Sequence, residues 1–216
     1  MKQLKLIPCI VLSFLWITAL HCQTFNTHKS EKWLLGIGVN FIEDNGLKAD
    51  IGTSIHFSNP LSLSAEYTVK NNWSINGSLS FNKYKAGKLV DGSLLLNESD
   101  ANYIAFDVST KYYVSEALNI SNIEPYALAG IGYTNIGSYQ VSLANSTAIK
   151  EIPQVGRLTL NTGFGTNYWF SNSWGLNLNL MGKFGIKSGE NKEYISNQLQ
   201  FSFGFIYSKS ASNWRS

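Results

Sequence analysis

The chain has 216 residues, 17 Lys or Arg against 14 Asp or Glu, a formal net charge of +3 and 44% hydrophobic residues. Its charges are mixed along the chain rather than gathered into basic blocks, which argues against nucleic acid as a partner. Two cysteines, Cys9 and Cys22, and three histidines do not make a disulfide framework or a metal site by spacing, and no cofactor motif is present, so stability must come from strand pairing and burial.

Residues 1–22 read as a secretory signal. Lys2 and Lys5 precede an apolar run over residues 6–20, broken only by Pro8, Ser13 and Thr18. The run is shorter than the roughly 20 residues of a spanning helix, and its basic residues lie on the first side only, as in an export signal. Cleavage is expected before Gln23, with Ala19 as an earlier alternative. Ala19-Leu20-His21-Cys22 has the outline of a lipoprotein box, although His21 is a poor residue before a lipidated cysteine. Loss of Lys2 and Lys5 lowers the formal charge to +1. Residues 23–31 form a lead-in.

From there the chain alternates. Residues 33–41 set Trp33, Leu35, Ile37, Val39 and Phe41 against Leu34, Gly36, Gly38 and Asn40, and a period of two makes each parity one face of a strand. Residues 43–60 read as a long loop. Residues 61–70 and 73–84 alternate again, with Leu61 to Val69 and Trp73 to Phe81 on their apolar parities, and Asn71-Asn72 turns the chain between them. Residues 85–100 are a glycine-bearing loop. A fourth strand, 101–114, sets Ile104, Phe106 and Val108 opposite Tyr103, Asp107 and Lys111. The fifth, 124–136, has an ambiguous face because Tyr126 and Leu128 share a parity with Gly130 and Gly132. After a polar loop over 137–156 come two long runs, 157–170 and 174–186, turned by Ser171, Asn172 and Ser173; the first is clean over 14 residues, against a usual strand of about 5 to 6. Residues 196–208 complete eight strands, and 209–216 are a polar tail.

Long connections follow the odd strands and shorter ones the even strands, the pattern of a single all-β domain over 32–208. The expected fold is an eight-stranded antiparallel up-and-down transmembrane β-barrel, with long loops extracellular and turns periplasmic. The second face decides between membrane and soluble barrels. It is Asn, Ser, Thr, Gln and Gly with the charges Glu66, Asp107, Lys111, Arg157 and Lys183, too polar for the interior of a soluble barrel. Trp33, Trp73, Tyr168, Phe170, Trp174 and Tyr207 stand near strand ends, where amphipathic rings favour a membrane interface. Eight strands enclose only enough space to fill with side chains, so the inward charges are expected to pair across the lumen, Arg157 and Lys183 with Glu66 and Asp107. That network is either a static plug or a gate for small ions.

Several stretches are familiar in their order: Trp33-Leu34-Leu35-Gly36-Ile37-Gly38-Val39-Asn40-Phe41, Ser80-Phe81-Asn82-Lys83-Tyr84-Lys85, Glu124-Pro125-Tyr126, Asn167-Tyr168-Trp169-Phe170 and Trp174-Gly175-Leu176-Asn177. Together they resemble the OmpA-like outer-membrane barrels of Bacteroidetes over residues 32–207. The resemblance implies a structural, adhesive or narrow-channel role in the Gram-negative outer membrane and no catalytic residues. It also implies partners: outer-membrane lipid and lipopolysaccharide, the barrel-assembly machinery during insertion, and an extracellular surface ligand. Two departures stand out. The peptidoglycan-binding domain that many relatives carry is not in this sequence, and Tyr207 is followed by a polar tail instead of closing the chain.

A rival reading is a lipid A-modifying enzyme in which His56 activates Ser58, with Asp50 or Glu66 as the orienting acid. A soluble ligand-binding barrel is a third. The loop acids Glu43, Asp44 and Asp50 read as solvated groups rather than metal ligands.

Overall fold

The computed structural model describes residues 32–44, 57–70, 72–90, 93–96, 100–114, 122–142, 149–186 and 197–210. The signal, the lead-in, Asp50 and His56 lie outside them. Among the described residues every regular element is a strand. They are β1 Lys32–Glu43, β2 Phe57–Lys70, β3 Trp73–Tyr84, β4 Leu89–Val90, β5 Ser93–Leu95, β6 Ala101–Tyr113, β7 Ile123–Ile136, β8 Tyr139–Ser142, β9 Ile149–Ile152, β10 Val155–Trp169, β11 Trp174–Gly185 and β12 Gln198–Ser210.

The eight long strands close on themselves. Each is antiparallel to its neighbours in the order β1, β2, β3, β6, β7, β10, β11 and β12, and β12 pairs back onto β1 from Lys32↔Ser210 to Glu43↔Leu199. Closure leaves no free edge and pairs the backbone internally, which is what a sheet needs to cross hydrocarbon. Short turns and both strand termini share one rim, and the long connections share the other.

Alternation in the sequence becomes inside and outside. In β6 burial switches at every residue, with Tyr103, Ala105, Asp107, Ser109 and Lys111 inward and Ile104, Phe106 and Val108 outward. The outward face is large and apolar around the whole wall: Phe164 is 63% exposed, Ile37 and Ile131 58%. From Trp33 to Phe41, β1 carries this face for about 26 Å of strand at ~3.3 Å per residue, which a strand tilt of about 40° brings near the height of a membrane barrel's apolar band. In β7 the ambiguity resolves: Tyr126 and Leu128 are buried in the lumen, and Ala127, Ala129, Ile131 and Tyr133 face out. Gly130 and Gly132 have no side chain to reveal their parity.

The start of β2 and the end of β12 differ from expectation. β2 begins at Phe57, four residues early, and absorbs a register shift between Ser58 and Leu61. Asn59 has φ 57° there, a left-handed conformation that Asn tolerates better than most residues. At the other end, β12 runs through Lys209 and Ser210, which pair with Trp33 and Lys32, so the polar tail starts later than residue 209.

The loops expected over 85–100 and 137–156 hold a second sheet. β4, β5, β8 and β9 pair antiparallel in that order, and a bridge between Asp44 and Val90 ties β4 to the end of β1. Their inner side chains Val90, Leu95, Tyr139, Val141 and Ile152 form one buried apolar cluster with Ile42, Tyr84, Tyr103, Ile136 and Val155 of the barrel mouth. Each such aliphatic burial is worth about 1.5–3 kcal/mol. The small sheet is therefore a cap seated on the long-loop rim.

Candidate functional site

The lumen below the cap is filled in layers. Nearest the short-turn rim, Glu66 of β2 receives Lys111 Nζ at 2.7 Å and Ser74 Oγ at 2.6 Å, and Tyr113 donates its hydroxyl to the same carboxylate. Lys111 also lies 4.4 Å from the centre of the Tyr126 ring. Asn167 donates to Tyr113 Oη at 3.2 Å, and Asn177 donates to Tyr126 Oη at 2.8 Å and to Asn167 Oδ1 at 2.7 Å. Next comes a small apolar cluster of Tyr113, Tyr126, Leu128 and Met181.

The second charged layer is Asp107 of β6 with Lys183 of β11, 2.9 Å apart and both fully buried. Asn161 donates to Asp107 Oδ1 at 2.7 Å and Thr159 donates to Asn161 Oδ1 at 2.8 Å. Lys183 Nζ reaches Tyr103 Oη at 3.3 Å, Tyr103 donates to Gln198, and Gln198 donates to Asp44. Asp44 pairs with Lys88 at 3.1 Å, and Lys88 Nζ also donates to the Ile42 carbonyl at 2.8 Å and lies 4.6 Å from the Tyr84 ring centre. One polar chain thus runs from Lys88 in the cap to Thr159 in the barrel wall.

Glycines make the room. A Cβ on Gly132 would collide with Asp107 Oδ1 and lie 2.7 Å from Asn161 Nδ2, so only glycine lets that carboxylate stand against β7. Between β1, β2, β11 and β12, Gly36, Gly38 and Gly204 with Ser62, Ser64, Ser202 and Asn177 border a cavity of about 30 Å³. That is about the volume of one water molecule in the liquid.

Of the inward charges read from the sequence, Glu66, Asp107, Lys111 and Lys183 meet in these two pairs. Arg157 does not take the place expected for it. It has the inward parity but sits near the long-loop end of β10, where its guanidinium donates to the Gly185 carbonyl at 3.0 Å. Parity fixes the face and leaves the height free, and Lys111 and Lys183 lie level with the acids. Glu43 and Asp44, read as solvated, are buried. Sequence reasoning missed Asp44, Lys88, Tyr103, Tyr113 and Gln198. Tyr103, Tyr113 and Gln198 carry the inward parity of their strands; for Lys88 no local signal exists.

The aromatics expected at a membrane interface gather at the short-turn rim. Trp33–Tyr67, Trp73–Tyr112 and Trp174–Tyr207 are ring pairs with centroids 5.0, 4.8 and 4.9 Å apart, each directly opposed across neighbouring strands. Such pairs add about 0.5–1.5 kcal/mol beyond burial. Tyr168 and Phe170 continue the belt between them, both exposed.

For the His56 and Ser58 pair, Ser58 lies in β2 at the long-loop rim opposite Lys83, and His56 is outside the described residues. Glu66 cannot be its orienting acid. It stands eight residues down β2, about 26 Å away at ~3.3 Å per residue, and is occupied by Lys111.

The closed eight-stranded barrel with an apolar outer wall and a polar filled lumen has the fold of the small outer-membrane β-barrels. No family model matches the chain, and no curated protein matches it by sequence. Among solved structures, a major outer membrane protein of Thermus thermophilus is similar over 83% of this chain and 100% of its own, at 12% identity with a TM-score of 0.54. Neisserial surface protein A covers 83% of this chain and 96% of its own at 13% identity, TM-score 0.49. Ail, the attachment invasion locus protein of Yersinia pestis, covers 83% and 99% at 15% identity, TM-score 0.47. At such identities the likeness is one of fold.

Proposed function

We propose that the protein is a non-enzymatic outer-membrane barrel of the OmpA-like kind, exported by its first 22 residues, whose lumen is a structural core and whose working surface is the cap. The long-loop rim faces outward in this reading and the short-turn rim faces the periplasm. Membrane lipid, including lipopolysaccharide, surrounds the wall, the assembly machinery inserts it, and a surface ligand meets the cap and loops.

The observation that carries the reading is the stacking of an apolar cap core over two buried ion-pair layers. Each layer blocks ions on its own: passage would strip a hydrated ion through an apolar mouth and then separate ion pairs whose charges are buried. In the lumen the Glu66 carboxylate is taken up by Lys111, Ser74 and Tyr113.

Planar-bilayer recording of the refolded protein tests this directly. The plug reading expects no steady conductance in wild type or in Arg157→Ala. A conductance in wild type that changes with Lys183→Met would replace it with the narrow-channel alternative. The lipid A-modifying alternative with His56 and Ser58 expects altered acylation on comparing wild type with His56→Ala, and unchanged acylation removes it.

A further inference from the structure

The outer wall changes character at one register. On β3 the outward residues are Trp73, Ile75, Leu79 and Phe81; the next is Lys83, and Lys85 follows just beyond the strand. Neighbouring strands change at the same height. Phe81 is opposed by Leu61 and Ile104, whereas Lys83 is opposed by Ser58 and Asn102. Elsewhere the long-loop end of the wall stays apolar, as at Phe41, Phe184 and Phe201, all exposed.

Two ammonium groups converge at this step. Lys83 Nζ lies 2.9 Å and Lys85 Nζ 2.7 Å from the same atom, Asp100 Oδ2. Among the described residues one carboxylate stands between these two cations and leaves a positive charge over, and each ammonium has three donors of which the shared oxygen takes one. The three side chains are 39%, 42% and 34% exposed, so a second anion has access. Lysine stems lie along apolar surface and carry their charge to its edge. Just above a lipid-facing belt, the anion at that edge is the phosphate of a lipid headgroup, which lysine binds as a point charge.

We propose that Lys83 and Lys85, gathered by Asp100, bind a phosphate of an outer-leaflet lipid headgroup on the outside of β3. The site rests on the membrane reading above and gives it a specific lipid contact. Asp100 both positions the lysines and competes with the phosphate for them.

Native mass spectrometry of the full-length refolded protein in detergent micelles tests the site, with bis-phosphorylated lipid A and its dephosphorylated form as probes. Wild type is expected to retain the phosphorylated lipid about tenfold better, the scale of one or two charge-assisted hydrogen bonds. Lys83→Gln with Lys85→Gln loses that preference, and Asp100→Asn, which removes the competing carboxylate, strengthens it. Equal retention of both lipids by wild type, an unchanged preference in the double variant, or a weaker one in Asp100→Asn overturns the proposal. A heat-dependent gel shift in each variant shows that its barrel has folded. Absence of that shift in wild type would instead sink the membrane reading itself.

Discussion

Lys183 and Asp107 are each costly to bury alone and compensate one another only as a pair. Removing one partner leaves a buried charge without its counter-ion, so Lys183→Met is expected to destabilise the barrel by about 3–5 kcal/mol. Urea unfolding of the protein in lipid vesicles measures it, and Asp107→Leu combined with Lys183→Met recovers most of the loss. Gly132 makes a second residue-scale case. Its missing side chain is the space that Asp107 and Asn161 occupy, so Gly132→Ala costs about 1–3 kcal/mol by overpacking in the same assay. Asp100, outside the spanning strands, is held below the usual carboxylate range by the hydrogen bond from Lys83, then by that from Lys85. Its folded value is the lower one, so its contribution is present above the unfolded value of about 4 and fades as pH falls through the folded one. Carboxyl NMR should place its midpoint below that of a free aspartate and shift it up in Lys83→Gln.

At the scale of elements, strand polarity was legible wherever both parities carried side chains of contrasting kind, as in β1, β3 and β6. It was illegible in β7, because Gly130 and Gly132 are silent about which way they face. The inward set Glu66, Asp107, Lys111 and Lys183 could be read by counting in twos. Which acid meets which base could not, since that depends on strand stagger, and Arg157 shows the difference. The cap was beyond reach for another reason: β4 and β5 are two and three residues long and β8 and β9 four, too short to display a period. Their order follows from a long-range meeting of two loops. The cap is expected to come loose before the barrel does. Val141→Asp, which puts a charge in its core, should expose the long-loop rim to protease while the heat-dependent gel shift persists; loss of both together would mean that cap and barrel fold as one unit.

For the whole molecule, the decisive feature is the inversion of ordinary burial. Large aliphatic and aromatic side chains clothe the outside, and lysines, carboxylates and amides fill the inside, an arrangement that costs free energy in water and is favoured in lipid. In the proposed membrane reading, the aromatic pairs at the short-turn rim and the lysine step at the long-loop rim mark the two edges of one belt. That claim has a direct test in single-cysteine variants without Cys9 and Cys22, labelled with an environment-sensitive fluorophore and reconstituted in vesicles containing brominated lipid. Labels at Phe164, Ile131 and Ile37 are predicted to be quenched by the brominated chains and shielded from iodide in the water, whereas one at Gln154, exposed on the long-loop rim, should respond to iodide. Iodide quenching at Phe164, Ile131 and Ile37 with no effect of bromine would contradict a lipid-facing wall.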